Sequence, residues 1–152
     1  MRLYCLEREQ WLPRPIEEVF SFFSRPENLQ TITPLWLYFR VIESPPELVA
    51  GSLIRYRLRV HWIPVHWTSE ITVWDPPHRF IDRQLSGPYA LWHHEHSFSM
   101  RQGGTVIRDF VTYALPLGGL GGFAHTLFVK RDVQSIFDFR AQTMQQKFAV
   151  TK

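Results

Sequence analysis

The chain has a single cysteine, Cys5, among its 152 residues. One thiol cannot form a disulfide within the chain, and it cannot build a zinc site from cysteine ligands. Both a disulfide framework and a cysteine-based metal centre are therefore excluded. We expect Cys5 to serve as a small buried residue of the first strand.

The sequence also has no long run of basic residues and no long run of apolar residues. Lys and Arg number 17 against 14 Asp and Glu, a formal net charge of +3, and only Lys130 and Arg131 are adjacent. Nucleic-acid-binding proteins usually carry a basic stripe, so we predict no nucleic-acid partner. No window approaches 18 apolar residues, and the first residues lack the apolar core of a signal peptide. We therefore expect no integral membrane segment and a cytoplasmic location.

Aromatic residues, by contrast, are abundant. They make up 15% of the chain, with 12 Phe and 6 Trp, while hydrophobic residues account for 45% and charged residues for 20%. The length and overall composition are typical of one globular domain, which we assign to residues 1–152. Rings used this freely often line a cavity or a ligand groove.

The first part of the chain predicts one strand and two short helices. Residues 2–12 are strand-like. Pro15 suits the first turn of a helix over 16–23, whose apolar residues form one face. A second short helix begins near Pro26 and stops before Pro34.

The middle of the chain is β throughout, and its end is helical. Short turn clusters separate six further segments rich in Trp, Ile, Val, Tyr and Thr, so successive hairpins should form an antiparallel meander. After Pro116 a helical repeat of apolar residues predicts one long helix from about Ala124 to Ala149 or Val150, packed on the sheet. The order is that of an α+β domain. The six strands are predicted near 36–43, 52–62, 65–74, 79–86, 91–101 and 104–115.

The most informative stretch runs from Gly87 to Phe98. Side chains alternate across a strand, so Trp92, His94, His96 and Phe98 share one face. Two histidines among aromatic residues indicate either the wall of a pocket or a polar patch inside a core.

Hairpin turns also predict how the strands align. Pairing Arg101 with Gly104 sets His96 opposite Asp109, and pairing Leu85 with Leu91 sets His94 opposite Asp82. Two Asp–His pairs then lie within an apolar face, His96 beside Asp109 and His94 beside Asp82. The same alignment places Trp62 and Val73 on the core face and a turn at Ile63-Pro64. The other predicted pairs are Phe98–Ile107, Trp92–Tyr113, Gln84–Trp92, Phe80–His96, Trp74–Arg79, Val73–Phe80, Ile71–Asp82, Val60–Trp67 and Tyr56–Ile71.

Several motifs resemble those of the SRPBCC or START-like superfamily, and in particular a bacterial branch of ligand-binding SRPBCC proteins. The likeness spans nearly the whole chain. The motifs are Pro15-x-x-x-Val19-Phe20-x-Phe22-Phe23, Pro26-x-Asn28-Leu29, Gly51, Trp67-x-x-x-Ile71, Phe80-x-Asp82, Gly87-Pro88-Tyr89, Trp92-x-His94-x-His96-x-Phe98, Thr105, Asp109, Tyr113-x-Leu115-Pro116 and Phe137-x-x-Arg140.

The resemblance implies the helix-grip fold, in which a curved seven-stranded antiparallel sheet wraps around a long C-terminal helix. Two short helices lie between strands 1 and 2, and a cavity lies between helix and sheet. Members of the superfamily carry lipids, bind plant hormones or cyclise aromatic polyketides. Fold alone does not choose among these activities.

Three functions are open at this point. The first is binding of a small hydrophobic or aromatic molecule in the internal cavity. The second is a polyketide cyclase/dehydrase-like or hydratase-like lyase, in which a His–Asp pair from His94, His96, Asp82 and Asp109 acts as acid and base. The third is a protein-interaction module, for which the polar pairs would only satisfy each other's hydrogen bonds. The predicted ligand-binding residues are Tyr56, Trp67, Asp82, Trp92, His94, His96, Asp109, Tyr113 and Phe137.

The His-x-His pattern also raises the question of a metal. Two imidazoles on one face of a strand can converge on a cation with a nearby carboxylate. Each histidine, however, has a carboxylate as an obvious hydrogen-bond partner. We therefore predict neither a metal nor another cofactor. The remaining five histidines, His61, His66, His78, His93 and His125, are expected to face solvent.

Overall fold

A computed structural model describes residues 1–149 and contains a curved seven-stranded antiparallel sheet, as predicted. The order of the strands across the sheet is β1-β7-β6-β5-β4-β3-β2. Consecutive strands from β2 to β7 are neighbours because short turns connect most of them. The strands are β1 (Tyr4–Leu12), β2 (Arg40–Glu43), β3 (Leu53–Val60), β4 (Ile63–Asp75), β5 (Arg79–Ser86), β6 (Leu91–Arg101) and β7 (Gly104–Ala114).

The helices also follow the predicted order. Helices α1 (Ile16–Phe23) and α2 (Asn28–Thr31) connect β1 to β2, followed by a 3₁₀ turn at Leu35–Leu37. The C-terminal helical segment is continuous over residues 118–147. It comprises α3 (Gly118–Ala124), a π-helical turn (His125–Val129) and α4 (Lys130–Lys147). None of the helices within residues 1–149 is long and apolar enough to cross a membrane.

The bounds of the C-terminal helix differ from the prediction at both ends. It begins at Gly118, six residues before Ala124, because the glycines are accommodated in the first turns. It ends at Lys147, with Phe148 as the C-cap, so Ala149 is not helical. Val150 lies outside the described residues.

The helices close the concave face of the sheet at two places. The apolar face of α1 is buried, and the Phe20 ring meets the rings of Phe80 and Phe98 at 6.0 and 5.1 Å. In α4, Val133 and Phe137 belong to one apolar cluster with Val111 of β7. The predicted packing of the long helix on the sheet is therefore confirmed.

The predicted register is confirmed where β6 meets its two neighbours. All the predicted β6–β7 pairs hold, including His96 opposite Asp109, and β5 pairs with β6 so that Asp82 is opposite His94. The turn between β6 and β7 was located correctly at Gln102-Gly103, and a slip of one residue would invert both faces of the strand. These pairs position the polar residues of the site.

The predicted turn between β3 and β4 was wrong. The turn lies at His61 and Trp62, whose φ angles are 48° and 72°. Ile63 and Pro64 instead begin β4, so Tyr56 is opposite Trp67 and Val60 is opposite Ile63. Trp62 is therefore not a core residue, and 78% of its surface is exposed.

Two smaller corrections concern the inner and outer faces. A bulge between Ile71 and Val73 pairs Trp74, rather than Val73, with Phe80. Trp74 consequently packs on the core, while the Ile71–Asp82 pair is as predicted. Cys5 lies in β1 as expected, but it is exposed rather than buried.

Replacing Trp62 tests the position of the β3–β4 turn. Only glycine adopts a positive φ without steric cost, so Trp62→Gly should raise the free energy of unfolding by about 1 kcal/mol. Urea denaturation measures this change. Ile63→Gly is the control, and it should lower stability by about 1 kcal/mol because Ile63 is extended. The opposite ranking would place the turn at Ile63-Pro64.

Candidate functional site

The site is built on three neighbouring strands of the sheet. Alternation along β6 directs His94 and His96 to the concave face, and the register brings Asp82 of β5 and Asp109 of β7 alongside them. Cross-strand and diagonal neighbours of an antiparallel sheet are both within reach of such side chains. Four polar groups thus meet in an apolar surrounding.

The short hydrogen bonds of this cluster run diagonally, which corrects the predicted pairs. Nε2 of His94 lies 2.7 Å from Oδ1 of Asp109, and Nε2 of His96 lies 2.7 Å from Oδ2 of Asp82. The directly opposite atoms are farther apart, at 3.2 Å for His96 Nδ1 to Asp109 and 3.9 Å for His94 Nδ1 to Asp82. Each imidazole therefore lies between the two carboxylates. The centroids of the two imidazole rings are 3.6 Å apart.

The cluster is almost entirely shielded from solvent. His94, His96 and Asp109 are 4%, 3% and 7% exposed. Arg140 of α4 approaches from the helix side, with Nη1 3.9 Å from Oδ1 of Asp109 and its guanidinium 4.9 Å from the Phe137 ring. A buried carboxylate is tolerated only when cations or hydrogen-bond donors compensate it. Arg140 supplies one such charge.

The environment separates the two histidines in basicity. Burial, together with the neighbouring His96, lowers the pKa of His94 to about 4. Burial also disfavours the imidazolium of His96, but its hydrogen bonds to Asp109 and Asp82 outweigh this and raise its pKa. At neutral pH His94 is neutral and donates its Nε2–H to the Asp109 carboxylate, and His96 is the more basic of the two rings.

The two carboxylates remain ionised. Burial would raise the pKa of Asp109, but hydrogen bonds from His94 and His96 hold it well below its usual range. Burial acts in the same direction on Asp82, where the hydrogen bond from His96 and the nearby positive charges lower the pKa. Arg140 adds a positive charge beside both carboxylates.

A cavity of about 300 Å³ lies against one side of this cluster, between the sheet and the C-terminal helix. Its wall is largely aromatic and aliphatic, and its polar end is formed by His94, His96, Asp82 and Arg140. Of the nine predicted ligand-binding residues, seven line it: Tyr56, Trp67, Asp82, Trp92, His94, His96 and Phe137.

The other two predicted residues lie elsewhere. Asp109 is behind the histidines and lines a smaller cavity of about 120 Å³. The hydroxyl of Tyr113 lies 2.7 Å from Nε2 of His125, outside the lining of the main cavity. His125 is buried and stacks on Tyr4 with centroids 3.4 Å apart, so the expectation that it faces solvent was wrong.

The lining residues that were missed in the sequence include Ser69 and Tyr89. Ser69 is buried on β4, and its Oγ lies 3.0 Å from both the Tyr56 hydroxyl and Nε1 of Trp67. Alternation from Trp67 to Ile71 would have placed it on the inner face. Tyr89 lies in the β5–β6 turn. Its backbone N–H donates to Oε1 of Gln84, and its backbone C=O accepts a hydrogen bond from Nε2 of Gln84. No periodic signal marks a residue in such a turn.

The cluster also has a donor set that could hold a metal ion. One ligand atom each from Asp82, His94 and His96 lies within 4.8 Å of the others. Two imidazoles and a carboxylate suit transition metals such as zinc or iron. Protons compete with such an ion for the imidazole nitrogens, so its affinity would fall as the pH is lowered. The absence of a metal stays a prediction.

Neutralising Asp109 tests whether the buried network stabilises the fold. Asp109→Asn removes the charge that faces His96 and Arg140, so the free energy of unfolding should fall by about 3 kcal/mol. The matched control is Asp138→Asn, which breaks an exposed ion pair with Arg8 and should cost less than about 1 kcal/mol. Urea denaturation of both variants decides the point, and equal losses would contradict it.

Solved structures of other proteins share this fold. The crystal structure of TTHA0849 from Thermus thermophilus superposes with a TM-score of 0.72 at 20% identity, covering 95% of this chain and 99% of that one. Ara h 8.0201 gives 0.67 at 15% identity, covering 95% and 99%. At such identities the likeness concerns the fold alone.

A third structure is longer than this chain. The di-domain ARO/CYC BexL from the BE-7585A biosynthetic pathway gives a TM-score of 0.74 at 16% identity. The match covers 99% of this chain and 51% of BexL, so the chain spans about half of that protein. No curated protein matches the sequence.

The family comparison extends over most of the chain. The family described as "Polyketide cyclase / dehydrase and lipid transport" matches residues 12–139, which include the strands of the site and most of the C-terminal helical segment. This agrees with the SRPBCC resemblance of the sequence motifs. The chain belongs to the polyketide cyclase/dehydrase and lipid transport family.

Proposed function

We propose that the protein binds a small hydrophobic or aromatic molecule in the main cavity, with an oxygen of that molecule at the polar end. The observation that carries this proposal is the cavity itself, about 300 Å³ of space with a largely apolar wall and a polar group formed by His94, His96, Asp82 and Arg140. Small-molecule sites combine these features, since apolar area supplies affinity and a few polar groups fix orientation.

The aromatic wall favours a flat or ring-containing ligand. Trp67 contacts the Tyr89 and Trp92 rings at 5.5 and 5.4 Å, and both contacts are edge-to-face. Ser69 accepts a hydrogen bond from Nε1–H of Trp67 and shares one with the Tyr56 hydroxyl, which further fixes the Trp67 and Tyr56 rings. A wall held in this way presents ring faces and edges without having to rearrange on binding.

The polar end favours a ligand that accepts hydrogen bonds. Nε and Nη1 of Arg140 are buried and have no hydrogen-bond partner among the described residues. A buried donor without an acceptor is costly. A carbonyl, phenolate or carboxylate oxygen of a ligand would supply the missing acceptor for Arg140.

An open interior also bears on the third function considered from the sequence. A protein-interaction module needs no internal space and would be stabilised by collapse of the core. The cavity therefore favours a small-molecule partner over a protein client. Neither a cofactor nor nucleic acid is required by this proposal.

The separated basicities of the histidines favour a second candidate function, a cyclase or dehydratase-type enzyme. Adjacent titratable groups whose environments push their pKa values apart suit the roles of base and acid. His94 would accept a carbon-bound proton at Nδ1, while Asp109 holds its other nitrogen. His96 would donate a proton to an enolate or departing hydroxyl oxygen. A base this weak suits an acidic proton, such as one between two carbonyl groups.

Filling the cavity tests the binding proposal. Leu58→Trp introduces a larger ring into the lining and should weaken binding of the fluorescent probe anilinonaphthalene sulfonate by about tenfold or more. Leu85→Trp is the matched control, because Leu85 is half exposed and does not line the cavity. Equal probe affinity in the two variants would contradict the proposal. Native mass spectrometry of the purified protein should in addition reveal any ligand that is retained.

Nuclear magnetic resonance of the imidazole nitrogens tests the acid–base pair. We expect a pKa near 4 for His94, with the proton of its neutral ring on Nε2. We expect the pKa of His96 to lie above the ordinary value for histidine. Because His94 binds a proton more readily in the unfolded chain, its contribution to stability is lost as the pH falls from about 6.5 towards 4. Two histidines that titrate together near pH 6.5 would remove the basis of the second candidate.

A further inference from the structure

A patch of exposed apolar residues lies beside the main cavity. Six of its side chains are between 49% and 78% exposed, although each is large and apolar or aromatic. Isolated exposed hydrophobic residues are ordinary, but a contiguous set marks a surface that is covered in use. We call this set the apolar rim: Trp36, Tyr38, Trp62, Ile63, Leu127 and Phe128.

Contacts show that the rim is one surface although it comes from three segments. Tyr38, after the 3₁₀ turn, lies 6.4 Å ring to ring from Trp62 of the β3–β4 turn. His61 of the same turn lies 6.0 Å from the ring of Phe128 in the π-helical turn. His61 also bonds to Asp132 at 2.7 Å, which ties the β3–β4 turn to the start of α4.

The rim borders the main cavity. Trp36 of the rim lines the cavity and is about half exposed. Val129, which follows Phe128 of the rim, also lines the cavity. The cavity therefore reaches the surface beside Trp36. Two further exposed side chains, Leu120 and Phe123, extend the apolar surface along α3.

The Lys, Arg, Asp and Glu residues in the three chain segments that carry the rim are all basic. Residues 35–39, 59–63 and 117–131 contain Arg59, Lys130 and Arg131 and no Asp or Glu. The remaining 14 Lys and Arg are balanced by 14 Asp and Glu, so these three residues account for the whole formal net charge of +3. The first acidic residue beyond them, Asp132, is paired with His61.

We propose that the apolar rim docks on an anionic lipid bilayer, with the cavity opening facing the membrane. Trp and Tyr are favoured at the boundary between lipid and water, and basic residues beside them attract anionic headgroups. A bilayer also fits the opening, since an apolar ligand could pass between two apolar phases without entering water. A protein partner seated here would instead close the opening.

Vesicle sedimentation of the ligand-free protein tests docking separately from the cavity. The protein should bind vesicles of phosphatidylcholine and phosphatidylglycerol, bind phosphatidylcholine alone more weakly, and dissociate as salt is raised. The double variant W62S/F128S should lower affinity by about tenfold or more. K130E/R131E should remove the preference for phosphatidylglycerol.

The control is M100S/F110S, which removes two exposed apolar side chains outside the rim. It should leave vesicle binding unchanged, and thermal melts check that every variant is folded. Equal loss in both double variants, or no vesicle binding by the parent protein, would overturn the proposal. If the parent protein does not bind vesicles but forms dimers, and W62S/F128S dissociates those dimers, the rim is an interface with a second copy of the chain. Binding of anilinonaphthalene sulfonate in the cavity is a separate measurement, so a failure of vesicle binding leaves the proposed ligand-binding function untouched.

Discussion

The arrangement of the interior depends on two carboxylates under the C-terminal helix, Asp109 buried and Asp82 partly buried. Asp82 and Asp109 can remain ionised there only because His94, His96 and Arg140 surround them with donors and positive charge. Removing any one partner leaves a charge without compensation, which costs more than the pair itself gains. The three strands must therefore keep their register, and α4 must keep its position, for the cluster to exist at all.

The same cluster accounts for the unequal behaviour of two neighbouring histidines. Each imidazole contacts both carboxylates, but at different distances: His94 has its short contact to Asp109 and His96 to Asp82. A second imidazolium at a ring separation of 3.6 Å would be strongly disfavoured, which contributes to the lowered pKa of His94. Two neighbouring rings of unequal basicity are an arrangement that can orient a ligand oxygen or transfer a proton.

Several features could be predicted from residues alone, and the failures have identifiable causes. The β6–β7 pairing followed from a two-residue turn, so His96 was correctly placed opposite Asp109. The β3–β4 turn was misplaced because Pro64 is a strong turn signal, whereas His61 and Trp62 adopt left-handed φ angles that are uncommon for residues other than glycine. A proline at the start of a strand is nevertheless permitted.

By itself the sequence determined the order of the elements, the family, and the four polar residues of the β5–β7 face, because each of these depends on local alternation or on short turns. Only the tertiary structure decided which histidine bonds to which carboxylate, that Arg140 approaches Asp109, and that Tyr113 faces His125 rather than the cavity. These choices depend on differences of about an ångström between atoms that are distant along the chain. Such distances follow from the packing of the helix on the sheet, which no local pattern specifies.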